Sequence, residues 1–136
     1  MTEKRWGKLA PLQHSRAYVR RFGAERAKVG IICWGTTAGP CRGAVYLAGQ
    51  EDLPVAMLQV QMLSPLPVDA INEFLEQVEI VLVPEVNFQG QFAKLLQAEL
   101  GIKVHSMTKY TGMPFSRLEI LRQIHALHGL AEPVLV

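Results

Sequence analysis

Long apolar runs, cysteine and aromatic residues are all in short supply here, and each shortage closes off a class of protein. No apolar run approaches the ~18 residues that cross a bilayer, so a membrane-spanning helix is not expected. The opening MTEKRWGKLAP carries charge with no apolar stretch behind it, so no secretory signal is expected either. Cysteine occurs twice, as Cys33 and Cys41. Two thiols build no disulfide framework, their spacing is not CxxC, and no second pair stands ready for zinc. A reduced, cytoplasmic protein is the expected setting. Aromatic residues make up 7% of the chain, without the repeated platform on which single-stranded nucleic acid stacks. The phosphate-cradling patterns GxGxxG and GxxxxGKS/T are missing too.

What is present suits one domain with a proper core: 136 residues, 49% hydrophobic and 19% charged. The net charge of +2 conceals an uneven spread. Residues 1–28 hold eight Lys or Arg against two acids, a net of +6, and the remainder holds six against ten, a net of −4. A basic arm suits a solvated linker or a segment lying on an acidic partner. It has no dense basic run, so nucleic acid is not expected as a partner. Residues 1–16, polar and without a period, read as a basic linker arm. Residues 17–130 read as the domain and 131–136 as a C-terminal tail.

Short apolar runs alternate with helical patterns along that domain. VGIICW (29–34), PVAMLQV (54–60), EIVLVPE (79–85) and IKVHSMTK (102–109) read as strands, and AYVRRFG (17–23) as a further edge strand. CRGAVYLAGQ (41–50) reads as a helix with Pro40 in its first turn. VDAINEFLEQV (68–78) sets Val68, Ile71, Leu75 and Val78 on one stripe. QFAKLLQAEL (91–100) does the same with Phe92, Leu95, Leu96 and Leu100, and Gly101 fits its C-terminal cap. In FSRLEI, Ser116 and Glu119 have capping-box spacing, with Leu118, Leu121, Ile124 and Leu127 as the apolar face of a last helix. Alternating strands and helices predict a parallel sheet, and strands apolar throughout predict cover on both faces. The expected fold class is a three-layer α/β domain.

Ligands of open α/β sheets sit beyond the carboxyl ends of the strands. Those ends are GTTAGP, SPLP, PEVNFQGQ and TKYTGMP. Gly35, Thr36, Thr37 and Gly39 of GTTAGP could present N–H groups to an anion, or simply form a tight turn. A thiol such as Cys41 in a first helical turn could have a lowered pKa; small buried residues are the plainer reading of both cysteines. His125 and His128 read as a surface pair favourable to a helix C-terminus, and His105 as a hydrogen-bonded core residue. Glu85 is the one acid at a strand end, with no nucleophile, base or metal partner apparent beside it. Asn87 reads as the cap of the following helix, with Gly90 inside its first turns. Glu85, Asn87, Phe88, Gln89, Gly90 and Gln91 together suit a hydrogen-bonding contact surface. Phe88 would be its apolar anchor, or else would tuck into the domain's own core.

The stretches GIICWGTTAGPCRGAV, VAMLQVQMLSPLPVDAINEFL, VLVPEVNFQGQFAKLL and KYTGMPFSRLEIL, in this order, resemble the C-terminal region of the alpha subunit of 2-oxoacid:ferredoxin oxidoreductases. EKRWGKL (3–9) resembles the linker preceding that region. The resemblance implies a transketolase C-terminal-like domain: a mostly parallel five-stranded sheet with one antiparallel edge strand, AYVRRFG. It implies a family reaction on pyruvate or 2-oxoglutarate, oxidative decarboxylation to an acyl-CoA with electrons passed to ferredoxin. It places thiamine diphosphate, Mg and iron–sulfur clusters in the whole complex and no cofactor in this domain. The implied partners are other domains of the alpha subunit, the thiamine-diphosphate-binding beta subunit and, through the complex, ferredoxin. The implied role is a non-catalytic assembly domain. The alternative is a stand-alone binding module taking a small anion at GTTAGP.

Overall fold

The computed structural model describes residues 14, 17–86, 90–109, 111 and 113–129. Strands and helices alternate through them as β1 (Val19–Gly23), β2 (Ala27–Trp34), α1 (Ala38–Gln50), β3 (Val55–Val60), α2 (Val68–Leu75), β4 (Val78–Glu85), α3 (Gln91–Leu100), β5 (His105–Thr108) and α4 (Arg117–Leu127). The five strands form one sheet in the order β1-β3-β2-β4-β5. β1 runs antiparallel to β3, with Val19 opposite Val60 and Gly23 opposite Ala56. The other pairings are parallel, among them Ile31 with Met57 and Ile31 with Leu82. This is the expected mixed sheet with one antiparallel edge.

The apolar strands are explained by two separate cores. On one face Val29, Ile31 and Cys33 of β2 pack with Ala44 of α1 and Ile120 and Ile124 of α4. On the other face Ile32 of β2 packs with Ile71 and Phe74 of α2 and Phe92 and Leu96 of α3. Side chains of a strand alternate between faces, so a strand covered by helices on both sides must be apolar at every position. Gly30 marks a tight approach between β2 and the helix-covered face, since a Cβ there would lie 2.6 Å from Val78 Cγ1 and 3.0 Å from Phe74.

Several elements depart from the expected bounds. α1 begins at Ala38, with Pro40 inside its first turn. α2 stops at Leu75 because Val78 already pairs with Ala27, whose N–H donates to the Gln77 carbonyl at 3.0 Å. The buried residues of α2 are Ala70, Ile71 and Phe74, a stripe rotated from the expected one, with Val68 and Leu75 only half-buried. β5 is confined to the four residues that pair with β4, and His105 on it is exposed rather than in the core. In α4 the core positions are Ile120, Leu121, Ile124 and His125, and Leu118 points to solvent. His125 is therefore not a surface residue; its Nε2 donates to Glu51 Oε2 at 2.6 Å, tying α4 to the end of α1. His128 Nδ1 donates to the Ile124 carbonyl at 2.9 Å. His14 donates to Asp69 in the first turn of α2 at 2.7 Å.

Candidate functional site

β2 and β4 are neighbours in the sheet, yet the helices that follow them leave on opposite faces. Their loops diverge and open a crevice, the place where open α/β sheets ordinarily bind ligands. Here it is a shallow cleft of about 340 Å³ lined by Trp34, Gly35, Thr36, Thr37, Glu85 and Val86. Two of the expected candidate segments thus face each other across one cleft.

Glu85 ends β4 and is 2% exposed. Its Oε1 accepts the Phe92 N–H at 2.6 Å and its Oε2 accepts the Ala93 N–H at 3.0 Å. Those amides belong to the first turn of α3, whose leading N–H groups have no partner within the helix. A carboxylate there answers both the open donors and the positive end of the helix dipole. Glu85 is accordingly the remote cap of α3, with both oxygens turned inward to the domain.

The helix boundary itself falls on Gly90, with φ +60° in the left-handed region, and not on Asn87. Gly90 is buried as the N-cap instead of lying within the first turns. A Cβ there would meet Ser106 Oγ at 2.9 Å. Both the φ value and the close approach of β5 call for glycine. Gln91 follows as an exposed residue at the start of α3. Asn87, Phe88 and Gln89 lie outside the described residues.

Across the cleft, Gly35–Thr37 form a 3-10 turn that runs directly into α1. Thr37 is 5% exposed and its hydroxyl donates to the Trp34 carbonyl at 2.8 Å. No side chain caps the turn or α1. Gly35, Thr36 and Gly39 are exposed. The positive end of α1 is therefore open, on the same cleft that Glu85 lines. Cys33 and Cys41 are both fully buried in the α1 core. The Cys33 side chain beside it, together with burial, pushes the Cys41 thiol far above its ordinary range, the reverse of helix-terminus activation.

Two residues at this edge escape sequence reasoning. Lys109, just past β5, donates to the Pro114 carbonyl at 3.1 Å and to Glu119 Oε1 at 2.8 Å, and its ammonium lies 5.7 Å from the centre of the Phe115 ring. It binds the loop before α4 to the capping box. Lys109 holds the Glu119 carboxyl below the usual range, and the Ser116 N–H adds to that. Nothing local marks Lys109, because its partner is ten residues away. Trp34 is 43% exposed and sits against Phe92, ring centres 6.4 Å apart, so it joins the end of β2 to the first turn of α3. Its only sequence signal is an aromatic side chain at the very end of an apolar run.

Among the described residues, no three of His, Cys, Asp and Glu converge to hold a metal. Among the described residues, the donor set does not fit a diphosphate-bound Mg ion. Two buried thiols also fall short of the four thiolates of an iron–sulfur cluster.

Comparison with known proteins shows the family. The family described as pyruvate:ferredoxin oxidoreductase core domain II matches residues 27–122. The chain is 30% identical over 131 residues to the 2-oxoacid:ferredoxin oxidoreductase subunit alpha of Saccharolobus solfataricus, covering 93% of this chain and 21% of that one. It is 34% identical over 99 residues to the 2-oxoacid:ferredoxin oxidoreductase 2 subunit alpha of Aeropyrum pernix, covering 72% and 15%. The chain thus spans about a fifth, or less, of the length of these relatives. In structure it resembles the 2-oxoglutarate:ferredoxin oxidoreductase of Magnetococcus marinus, solved with 2-oxoglutarate, coenzyme A and succinyl-CoA bound. The TM-score is 0.87 at 34% identity, over 93% of this chain and 22% of that one. The chain belongs to the pyruvate:ferredoxin oxidoreductase core domain II family and corresponds to one domain of a 2-oxoacid:ferredoxin oxidoreductase alpha subunit.

Proposed function

We propose that this chain is a non-catalytic assembly domain of a thiamine-diphosphate-dependent 2-oxoacid:ferredoxin oxidoreductase, the whole complex converting a 2-oxoacid to an acyl-CoA. The observation that carries this reading is the use made of Glu85. The one acid at a strand end that could serve as a base is turned inward onto the amides of α3. The remaining candidates point the same way, since Cys33 and Cys41 are buried together. Residues 17–130 form the domain, 1–16 an arm and 131–136 a tail. The segment Glu85, Asn87, Phe88, Gln89, Gly90 and Gln91 contributes to contacts with other alpha-subunit domains and the beta subunit, Glu85 and Gly90 by shaping the loop. Thiamine diphosphate, Mg and the clusters belong to the rest of the complex. No helix among the described residues is long and apolar enough to cross a membrane.

Titration calorimetry of the purified chain with thiamine diphosphate and Mg²⁺ should show no binding, and assays with 2-oxoacid, coenzyme A and ferredoxin should show no turnover. Micromolar binding of thiamine diphosphate would refute the non-catalytic reading.

A further inference from the structure

Large apolar side chains left in solvent are not scattered over this domain. Those among the described residues are Tyr18, Trp34, Tyr46, Val86, Met113 and Leu118. All but Tyr46 lie at the carboxyl end of the parallel strands. Tyr18 precedes antiparallel β1, and its carbonyl accepts the N–H of Gln61, just past β3. Trp34 ends β2, Val86 follows β4, Met113 lies in the loop after β5, and Leu118 lies in the first turn of α4. Taken in the order of the sheet, Tyr18, Trp34, Val86 and Met113 follow the strands from one edge to the other. Trp34 and Val86 line the same cleft, and Trp34 is braced by the buried Phe92 ring.

We infer that this row is a docking surface, with Trp34 as its anchor, for an apolar face of the remainder of a 2-oxoacid:ferredoxin oxidoreductase alpha subunit. The inference rests on the assembly reading above and names the surface that performs it. The occupant is argued from two observations. The relatives carry about four-fifths of their length outside the stretch shared with this chain, so a protein surface of that length is available to cover it. Two charged groups at this edge are already engaged within the domain: Glu85 with α3, and Lys109 with Glu119 and Pro114. A neutral apolar face fits such a row better than a charged one. Trp34 suits the central position because a tryptophan held by its own domain loses little freedom on binding, and such side chains dominate interface energies.

The test is calorimetry of this chain against the Saccharolobus solfataricus alpha subunit from which the shared stretch has been deleted, with the intact alpha subunit as control. Binding is expected to the deleted form and not to the intact one. Trp34→Ser and Met113→Ser should each weaken it at least tenfold, and Tyr46→Ser should leave it unchanged, with melting temperatures of all three close to wild type. If Trp34→Ser and Met113→Ser bind like wild type, the row is not the surface, although the alpha-subunit reading stands. If the wild-type chain does not bind the deleted form, the assembly reading fails, while the family assignment stands. If sedimentation shows a dimer that Trp34→Ser dissociates, the occupant is a second copy and the inference is overturned. Equal binding of wild type and Trp34→Ser to neutral phosphatidylcholine vesicles is expected to be nil; Trp34-dependent binding there would overturn it as well.

Discussion

Helices α3 and α4 both begin with a glutamate at their amides, yet the two caps are built in opposite ways. In α4 the cap is local. Ser116 accepts the Glu119 N–H at 3.1 Å, and Glu119 accepts the Ser116 N–H at 3.1 Å. In α3 it is remote: Glu85 reaches seven and eight residues forward from the end of β4, over a loop closed by left-handed Gly90. The local cap is half-exposed and water can substitute for it. The remote cap is buried, so nothing else reaches its donors. The difference teaches that a strand-end acid in this fold can be a structural part of the next helix, and it sets the order of the effects that follow.

The largest effect should come from Glu85→Ala. It leaves the Phe92 and Ala93 N–H groups buried without their acceptor, and each such donor costs about 1–3 kcal/mol. Urea denaturation should show a loss of roughly 3–5 kcal/mol from these two donors. Glu85→Gln keeps one acceptor oxygen and should fall between alanine and wild type. A loss below ~1 kcal/mol for Glu85→Ala would mean that the two caps are equivalent after all.

Gly90→Ala comes next. It places a Cβ at φ +60° and 2.9 Å from Ser106 Oγ. The left-handed conformation alone costs about 1–2 kcal/mol for a residue with a Cβ. The double variant Gly90→Ala with Ser106→Ala removes the collision and keeps the backbone strain. It should recover only part of the loss in thermal melting. Complete recovery would show that crowding by β5, and not the backbone, selects glycine here.

What could be read in advance divides along the same line. The order of elements, the two-sided burial of the strands and the Ser116–Glu119 box follow from periodicity and from spacing within a turn, and all are found. The role of Glu85 is invisible at that range, because a strand-end acid followed by a polar loop reads alike as a base, a contact or a cap. Only the packing of α3 against β4 brings it under the helix's first amides. His105 and His125 exchange their expected environments for a related reason. Edge strand β5 is covered on few sides, and the face of α4 that meets α1 is decided by α1. Lys109 and Trp34 act through partners in other elements, so no local pattern announces them.

Ser116→Ala probes the local cap. Such replacements cost about 1 kcal/mol, and binding at the carboxyl edge should be unaffected. A change in partner affinity with unchanged stability would move Ser116 from the cap to the interface.

The smallest effect, and the one that sharpens the comparison most, is the pH dependence of Glu119. Lys109, and then the Ser116 N–H, lower its pKa in the folded protein. A carboxyl depressed by folding stabilises the native state at pH values above its unfolded pKa, ~4.3 for glutamate. That contribution declines as pH falls through the folded value. The Glu119 side chain is 37% exposed, so solvent screens the pair and the electrostatic contribution should be a few tenths of a kcal/mol. Comparing wild type with Glu119→Gln by urea denaturation should therefore show a gap that is full at pH 7 and narrows below about pH 4.3. Part of the gap should also close in 1 M salt, where screening shortens the reach of Lys109 to about 3 Å. What survives both treatments is the hydrogen bond of the capping box itself. A gap that widened as pH fell would mean that folding raises the Glu119 pKa, and the Lys109 contact would then have to be abandoned as its partner.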